Sequence, residues 1–481
     1  MWNLDRTSKT PLYHQIASDL EQRIARGEYP PGTLLPSERK LAGQLNVNRS
    51  TIVQAYDELR ASGLVESSQG SGTKVITHKW GIVPKITPNW KQYAEGGAFL
   101  PNLPAIRRIR EALRQSSAQP LIDFASGELS ADLFVGEQLQ QVLREQPFDE
   151  PLGYDDPQGF LPLRESLVAF LERGLGIRTT ASSMLITSGS QQSLYLITQC
   201  LLSPGDAVAI EDPSYSYSLP MFQSAGLRLF RLPVDRSGIR PQDIVPLYKQ
   251  HRIRMIFVNP NFQNPTGSVL APERRRELLD IAAELGIPIV EDDPFTLTAS
   301  SGSPPPTLKS LDTAGNVLYV GSLSKIAASG LRIGWLLAPQ TIVQRLTDAR
   351  QQMDFGLSSL PQWAAQHLLA DGRMDRQLAR LRGELARKKA ALTEALSRHM
   401  GELLSFEPPA GGLTLWCRME RPADEARLLD EAIRHGVVFT PGSVYGSERR
   451  YVRLSFARPT LAEIPHGVER LLAAWQALEQ A

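Results

Sequence analysis

Residues 321–335 read GSLSKIAASGLRIGW and overlap the apolar run VLYVGS at 317–322. That run has the continuous, β-branched character of a buried strand. Lys325 therefore stands just past a strand end, with Ser322 and Ser324 before it and Arg332 seven residues on. A lysine after a strand is ordinarily a solvated surface residue. Here two hydroxyls and a guanidinium fork accompany it, and these are groups that hold a phosphate. An amine beside a phosphate cradle is what a Schiff-base lysine needs to capture a phosphorylated aldehyde.

Other segments supply the parts such a site lacks. TSGSQQSL (187–194) follows a strand and opens a helix, so Ser190 and Gln191 can present amides to a phosphate; a plain helix cap at Ser190 fits the same string. Asp292 ends the strand IPIVEDD (287–293), where a carboxylate can pair with a pyridine nitrogen and keep it protonated. Asn264 in NPNFQNPTG can bond a ring hydroxyl, and Tyr215 in EDPSYSY can stack on the ring or belong to the core. Tyr154 in GYDDPQG precedes a helix and can reach a phosphate. Arg453 in YVRLSFA can hold a substrate carboxylate or form a salt bridge.

Between these segments the chain alternates short apolar runs (SMLIT, AVAIED, MIFVNP, IPIVEDD, VLYVGS) with helical stretches, the pattern of an α/β domain with a largely parallel or mixed sheet. A long helix over 376–398 and a small α+β portion follow. Together these segments resemble the fold-type I, class I aminotransferases over about residues 120–481. The resemblance implies pyridoxal phosphate (PLP) as cofactor, with Lys325 as its Schiff-base lysine and Asp292 on the pyridine nitrogen. It implies that Asn264 contacts the ring hydroxyl and Tyr215 stacks, while Ser190, Gln191, Ser322 and Arg332 hold the phosphate. Tyr154 would reach the phosphate from a neighbouring subunit, so a homodimer is implied, and Arg453 would bind the carboxylate of an amino acid. The family usually places a tyrosine three residues after the aspartate. Here Phe295 stands there and lacks the phenol; losing a hydrogen bond to an ionised oxygen costs roughly 1.5–3 kcal/mol. Efficient transamination is therefore less expected than cofactor binding.

Residues 1–77 read differently. Leu12, Ile16, Leu20 and Ile24 mark one face of a helix over 12–26. Ser37 caps a second helix, Asn46-Val47-Asn48 makes a tight turn, and Asn48 or Ser50 caps a third. Strands over 64–67 and 74–77 flank the glycine-rich Gln69–Gly72. Helix, turn, helix and hairpin is the winged helix-turn-helix plan, and a three-helix bundle with solvated arginines is its bland alternative. Arg49 can make paired bonds to guanine or phosphate, Ser50 and Thr51 suit phosphate oxygens, and Arg39 can clamp the DNA backbone. The string LPSERKLAGQLNVNRSTIVQAYDELRASGLVESSQGSGTKV (35–75) resembles the DNA-binding domain of GntR-family regulators. By that resemblance Arg39, Arg49, Ser50, Thr51 and the wing glycine Gly70 touch DNA.

The expected fold is thus multidomain. A winged helix-turn-helix (1–77), mainly α with a small β wing, is followed by a basic linker (78–118) and an α/β domain of the PLP-dependent transferase type I fold (119–481). A small C-terminal α+β subdomain completes the last. This combination resembles the MocR/GabR subfamily of GntR transcription regulators. The resemblance implies a double-stranded DNA operator, PLP alone or joined to an amino acid as effector, and a head-to-tail homodimer. A working aminotransferase carrying a DNA-binding module, and a regulator whose large domain is only a scaffold, are the competing readings.

Composition agrees. The 481 residues are 42% hydrophobic and 21% charged, with a net charge of +1, an ordinary globular balance. The neutrality is a cancellation: residues 1–77 carry +1, the linker +5 and residues 119–481 carry −5. The linker excess, which includes Lys79, Lys85 and Lys91, is expected to add a salt-dependent part to DNA affinity or to serve as a solvated surface. Cys200 and Cys417 allow neither a disulfide framework nor a cysteine metal site, and no metal is expected. A reducing cytoplasmic compartment fits. No signal peptide is expected at the N-terminus, and no apolar run is long enough to cross a membrane.

Overall fold

The computed structural model describes residues 2, 4–6, 8–68, 72–76, 90–115, 120–150, 153–300, 302–446 and 449–480. Two compact units divide the chain, Met1–Gly97 and Ala98–Ala481. The boundary falls inside the stretch read as a linker, of which 78–89 and 116–118 lie outside the described residues.

In the first unit α1 (Leu12–Ala25), α2 (Glu38–Leu45) and α3 (Arg49–Ala61) enclose a small core. Ile16, Leu20 and Ile24 bury one face of α1 against Leu41, Ile52, Tyr56 and Leu59. The Ser37 hydroxyl accepts the Lys40 N–H at 3.3 Å and caps α2. Asn46 ends α2 in the left-handed region at φ 50°, a conformation that asparagine tolerates. Asn48, not Ser50, caps α3, accepting the Ser50 N–H at 3.3 Å. Strands β1 (Val65–Ser68) and β2 (Gly72–Val75) form the antiparallel wing. The second strand starts two residues earlier than the sequence pattern suggests, because Thr73 pairs with Ser67 and their hydroxyls meet at 2.8 Å. Gly70 lies outside the described residues.

Two helices follow, α4 (Trp90–Glu95) in the first unit and α5 (Pro104–Gln115) in the second. Strand β3 (Ile122–Asp123) comes next, then α6 (Gly136–Glu145), α7 (Leu161–Leu175), β4 (Met184–Thr187) and α8 (Ser190–Cys200). The remaining strands of the large sheet are β5 (Ala207–Asp212), β6 (Arg228–Asp235), β7 (Gly238–Ile239), β8 (Met255–Val258), β9 (Ile289–Asp293), β10 (Val317–Ser322) and β11 (Gly334–Leu337). They are ordered β4-β11-β10-β9-β8-β5-β6-β7. From β10 to β6 every pairing is parallel. Strands buried on both faces read as unbroken apolar runs, which is why these segments stood out.

β11 runs antiparallel to both β10 and β4. Only eleven residues separate β10 from β11 and they hold no α-helix, too little for a parallel crossover. The lysine loop is therefore a hairpin-like excursion off the sheet. The smaller sheet orders β12 (Leu404–Phe406), β13 (Thr414–Met419), β16 (Tyr451–Ser455) and β15 (Thr440–Pro441), while β14 (Val437–Val438) pairs with β3. The helix Arg373–Met400 packs along this subdomain with Glu463–Glu479. Ligands in open α/β sheets sit beyond the C-terminal strand ends. Asp292 near the end of β9 and Ser322 at the end of β10 lie there.

Candidate functional site

A cavity of about 390 Å³ opens at those strand ends and gathers residues from most of the second unit. Ser190, Gln191, Tyr215, Asn264, Asp292, Ser322, Lys325, Arg332 and Arg453 all line it. Tyr154 does not. It is 89% exposed, with its ring 5.7 Å from Phe355 on a separate part of the surface.

Lys325 is half-buried and its Nζ donates to the Gly127 carbonyl at 2.6 Å. Burial pushes its amine down to about 8; Arg453 and Arg332 push the same way, and Glu128 and Asp292 oppose. An amine near that value is partly neutral at physiological pH, the form in which it attacks a carbonyl. Asp292 is buried, and burial raises its carboxyl to about 7, with Asp293 adding to the rise and Lys325 opposing it. Its Oδ1 has no hydrogen-bond partner among the described residues. A buried unpaired carboxylate oxygen at a cavity wall suits a cationic ring nitrogen.

Arg453 is buried in the centre of the small sheet, paired with Trp416 and Thr440 in register. Its Nη1 donates to Asn264 Oδ1 at 3.1 Å and its Nη2 to the Ala125 carbonyl at 2.5 Å, while Nε has no partner among the described residues. The guanidinium lies 4.9 Å from the Tyr445 ring centre. Asn264 is fixed from both sides: its N–H donates to Asn259 Oδ1 at 2.7 Å, and its carbonyl accepts the Tyr215 N–H at 2.9 Å.

The end of the cavity where a phosphate is expected is built on two backbone constraints. Gly189 caps α8 at φ 107°, and a Cβ there would sit 2.8 Å from Arg332 Nη2. Arg332 itself adopts φ 53° and donates to the carbonyls of Ser188 and Ser329. Its guanidinium thus lies against the start of α8, beside Ser190. Ser322 Oγ donates to the Ile333 carbonyl at 3.1 Å and accepts the Ser324 N–H at 3.1 Å. Phe295 lines the same cavity, buried, with no polar atom in its side chain. The sequence reading missed Gly127, Tyr445 and Arg110 as cavity residues. Only the helical period of Ile106, Ile109 and Leu113 hinted at the last.

In the first unit Arg39, Arg49 and Ser50 are exposed and Thr51 is half-buried, all in the opening turns of α2 and α3. Arg49 donates to Glu38 Oε2 through Nε at 3.1 Å and Nη2 at 2.8 Å.

Residues 119–471 match the family model "Aminotransferase class I and II", and residues 12–75 match "Bacterial regulatory proteins, gntR family". The chain is 36% identical to the uncharacterized HTH-type transcriptional regulator YdfD of Bacillus subtilis over 470 residues, 97% of this chain and 96% of that one. This chain is a member of the MocR/GabR subfamily of GntR regulators. Another relative, the HTH-type transcriptional regulator NorG of Staphylococcus aureus, is 28% identical over 91% of this chain and 98% of its own. Among solved structures, the kynurenine aminotransferase of Pyrococcus horikoshii is 30% identical, with a TM-score of 0.72 over 80% of this chain and 96% of that one. LysN, the α-aminoadipate aminotransferase of Thermus thermophilus, was solved with N-(5'-phosphopyridoxyl)-L-leucine. It is 29% identical, with a TM-score of 0.73 over 82% of this chain and all of its own.

This MocR/GabR-type chain therefore couples a GntR DNA-binding module to a PLP-binding aminotransferase fold. The cavity fits that cofactor: Asp292 Oδ1 lacks a partner among the described residues, and the Gly189–Arg332 cradle has no room for a Cβ. Bound there, PLP supplies an aldehyde that captures amines and a pyridinium that withdraws electrons. Among the described residues no cluster suits a metal ion, and no helix is long and apolar enough to cross a membrane.

Proposed function

We propose that this protein is a cytoplasmic homodimeric regulator that binds a double-stranded operator and takes its signal from PLP, alone or joined to an amino acid. The observation that carries this reading is the cavity itself, where Lys325, Asp292 and Arg453 converge with atoms of Asp292 and Arg453 left unpaired. Lys325 holds the cofactor, Asp292 holds a proton on its ring nitrogen, and Asn264 orients its ring oxygen. Tyr215 packs on the ring face. Ser190, Gln191, Ser322 and Arg332 take the phosphate. Arg453, on the small subdomain, takes the carboxylate of an amino acid.

An amino acid bridging Arg453 and Lys325 ties the small sheet to the large one and biases closure between them, which a two-state coupling transmits to DNA affinity. Tyr154, exposed and outside its own cavity, takes part in the phosphate site of a second copy in a head-to-tail dimer, a reading that its exposure supports. On DNA, Arg49 reads a base edge or a phosphate, Arg39, Ser50 and Thr51 take phosphates, and Gly70 lets the wing approach the groove.

Operator binding and visible absorbance of the PLP-loaded chain test the proposal together. Wild type is expected to show a cofactor band that shifts on adding an amino acid, with a change in operator affinity and no oxo acid released. Lys325→Ala is expected to lose the band and the response while keeping a wild-type melting transition. Steady release of an oxo acid would make the protein a working aminotransferase. A folded wild-type protein with no band after PLP addition overturns the reading.

A further inference from the structure

Behind the cavity wall, Asn259, Gln263 and Glu211 are buried and do not line the cavity. Asn259 follows β8, one position beyond the pairing of Val258 with Glu291, so it stands level with Asp292. β8 lies between β9 and β5, and Asn259 is bonded to both neighbours where the ladder of peptide bonds ends. Its side-chain Nδ2 donates to the Asp292 carbonyl at 2.8 Å, and its peptide N–H donates to Glu211 Oε2 on β5 at 3.1 Å. Its Oδ1 accepts the Asn264 N–H at 2.7 Å. Gln263 closes the set: its Nε2 donates to Glu211 Oε2 at 3.1 Å and to the Pro213 carbonyl at 2.7 Å.

Both ends of one amide are thus spent on Asp292 and Asn264, the two residues read as meeting the cofactor ring at its nitrogen and its oxygen. The tie runs through their backbones, so it fixes where each side chain starts and leaves Asp292 Oδ1 without a partner among the described residues. The Asn264 carbonyl in turn accepts the Tyr215 N–H at 2.9 Å, which extends the tie to the residue read as stacking on the ring. A buried polar network with its partners in place is rigid. We propose that Asn259 is a positioning residue for the cofactor ring: it fixes Asp292 and Asn264 relative to each other, with Glu211 as its anchor on β5. This rests on the roles of Asp292 and Asn264 given above. Glu211 suits an anchor, because burial raises it to about 8 and it accepts these bonds without setting an anion beside Asp292.

The test titrates the full chain with PLP and follows the visible cofactor band and its pH midpoint. Asn259→Ala is expected to weaken PLP binding about tenfold, the scale of one or two lost hydrogen bonds. It is also expected to move the pH midpoint of the band by about 0.5 or more, because ionisation of the ring follows its distance from Asp292. Asp293, Lys325 and Glu211, whose charges also act around Asp292, stay in place in this variant. A residue that only stabilises the fold would lower the melting temperature and leave affinity, band and midpoint of the folded protein unchanged, and that result overturns the proposal. Asn259→Ser, polar but too short to reach both partners, is expected to fall between and serves where the alanine variant does not fold. A double-mutant cycle with Asn264→Ala tests the connection. In that background Asn259→Ala is expected to cost less PLP affinity than in wild type, and full additivity of the two losses overturns the proposal. Single variants separate the two levels. If Asp292→Asn and Asn264→Ala both keep wild-type affinity and band, the roles of those two residues fail; if both lose affinity while Asn259→Ala loses none, only the role of Asn259 fails.

Discussion

In the winged helix, Arg39, Arg49 and Ser50 stand in solvent, and the ion pair between Arg49 and Glu38 is exposed on the arginine side. In the cavity of the second unit, Asp292 and Arg453 are buried, and each keeps an atom with no partner among the described residues. The difference reflects the ligands. A DNA surface is met by groups that wait in water, where an unpaired charge costs little. The cavity instead offers at Asp292 and Arg453 groups already stripped of water, each unpaired buried atom costing about 1–3 kcal/mol until a ligand answers it. The first kind of site is recognised by what is exposed, the second by what is left unsatisfied.

The largest test of this contrast is Asp292→Asn. Removing one charge from a buried pair costs about 3 kcal/mol or more, so PLP affinity should fall about 100-fold or more in an absorbance titration. Operator binding by the cofactor-free variant should not change. Unaltered PLP affinity would mean that the unpaired carboxylate oxygen is not the cofactor's partner.

Stability against pH sharpens the same point. Burial raises Glu211 and Glu291 to about 8 and Asp292 to about 7. Folded, these groups keep protons that an unfolded chain releases near pH 4. Folding is therefore favoured at low pH, and stability is lost as pH rises from about 4 to 7 and 8. If Asp292 takes the ring nitrogen, loading with PLP gives it a cationic partner and pulls its pKa back down. The melting temperature of the loaded protein should then fall less between pH 5 and 7 than that of the cofactor-free protein. Parallel slopes would leave Asp292 unengaged.

On the exposed side the effects shrink. Arg49→Ala should weaken operator binding by about tenfold, the loss of one paired contact worth roughly 1–3 kcal/mol, with PLP affinity untouched. Glu38→Gln frees Arg49 from an ion pair worth at most about 1 kcal/mol, so operator affinity should rise no more than about fivefold. A larger rise would make Glu38 a strong restraint on the recognition helix.

Much of this was legible in the sequence. SMLIT, AVAIED, MIFVNP, IPIVEDD and VLYVGS all became strands, because burial on both faces demands unbroken apolar runs. β6 and β11 did not stand out. β6 mixes exposed and half-buried residues with one buried leucine, Leu232, and contains Pro233, and β11 is only four residues, GWLL, behind the loop 323–333. The lysine, aspartate, asparagine and arginine of the cavity were marked by short motifs, with Asp292 and Lys325 at or just past strand ends, Asn264 in the loop after β8 and Arg453 within β16. Arg110 and Tyr445 were not, since nothing in their local strings points to a ligand.

The sequence by itself determined the kinds of element and the kinds of chemistry: a Ser-x-Ser-Lys turn after a strand, an aspartate at a strand end, an arginine at the start of a recognition helix. These are local, because capping, periodicity and side-chain chemistry act over a few residues. Tertiary structure decided which polar atoms are satisfied. Arg453 meets the Ala125 carbonyl across 328 residues and Lys325 meets Gly127 across 198, and those long-range contacts leave Asp292 Oδ1 and Arg453 Nε without partners among the described residues. Pairing of buried charges depends on three-dimensional packing, so the groups left over for a ligand could be read only from the folded chain.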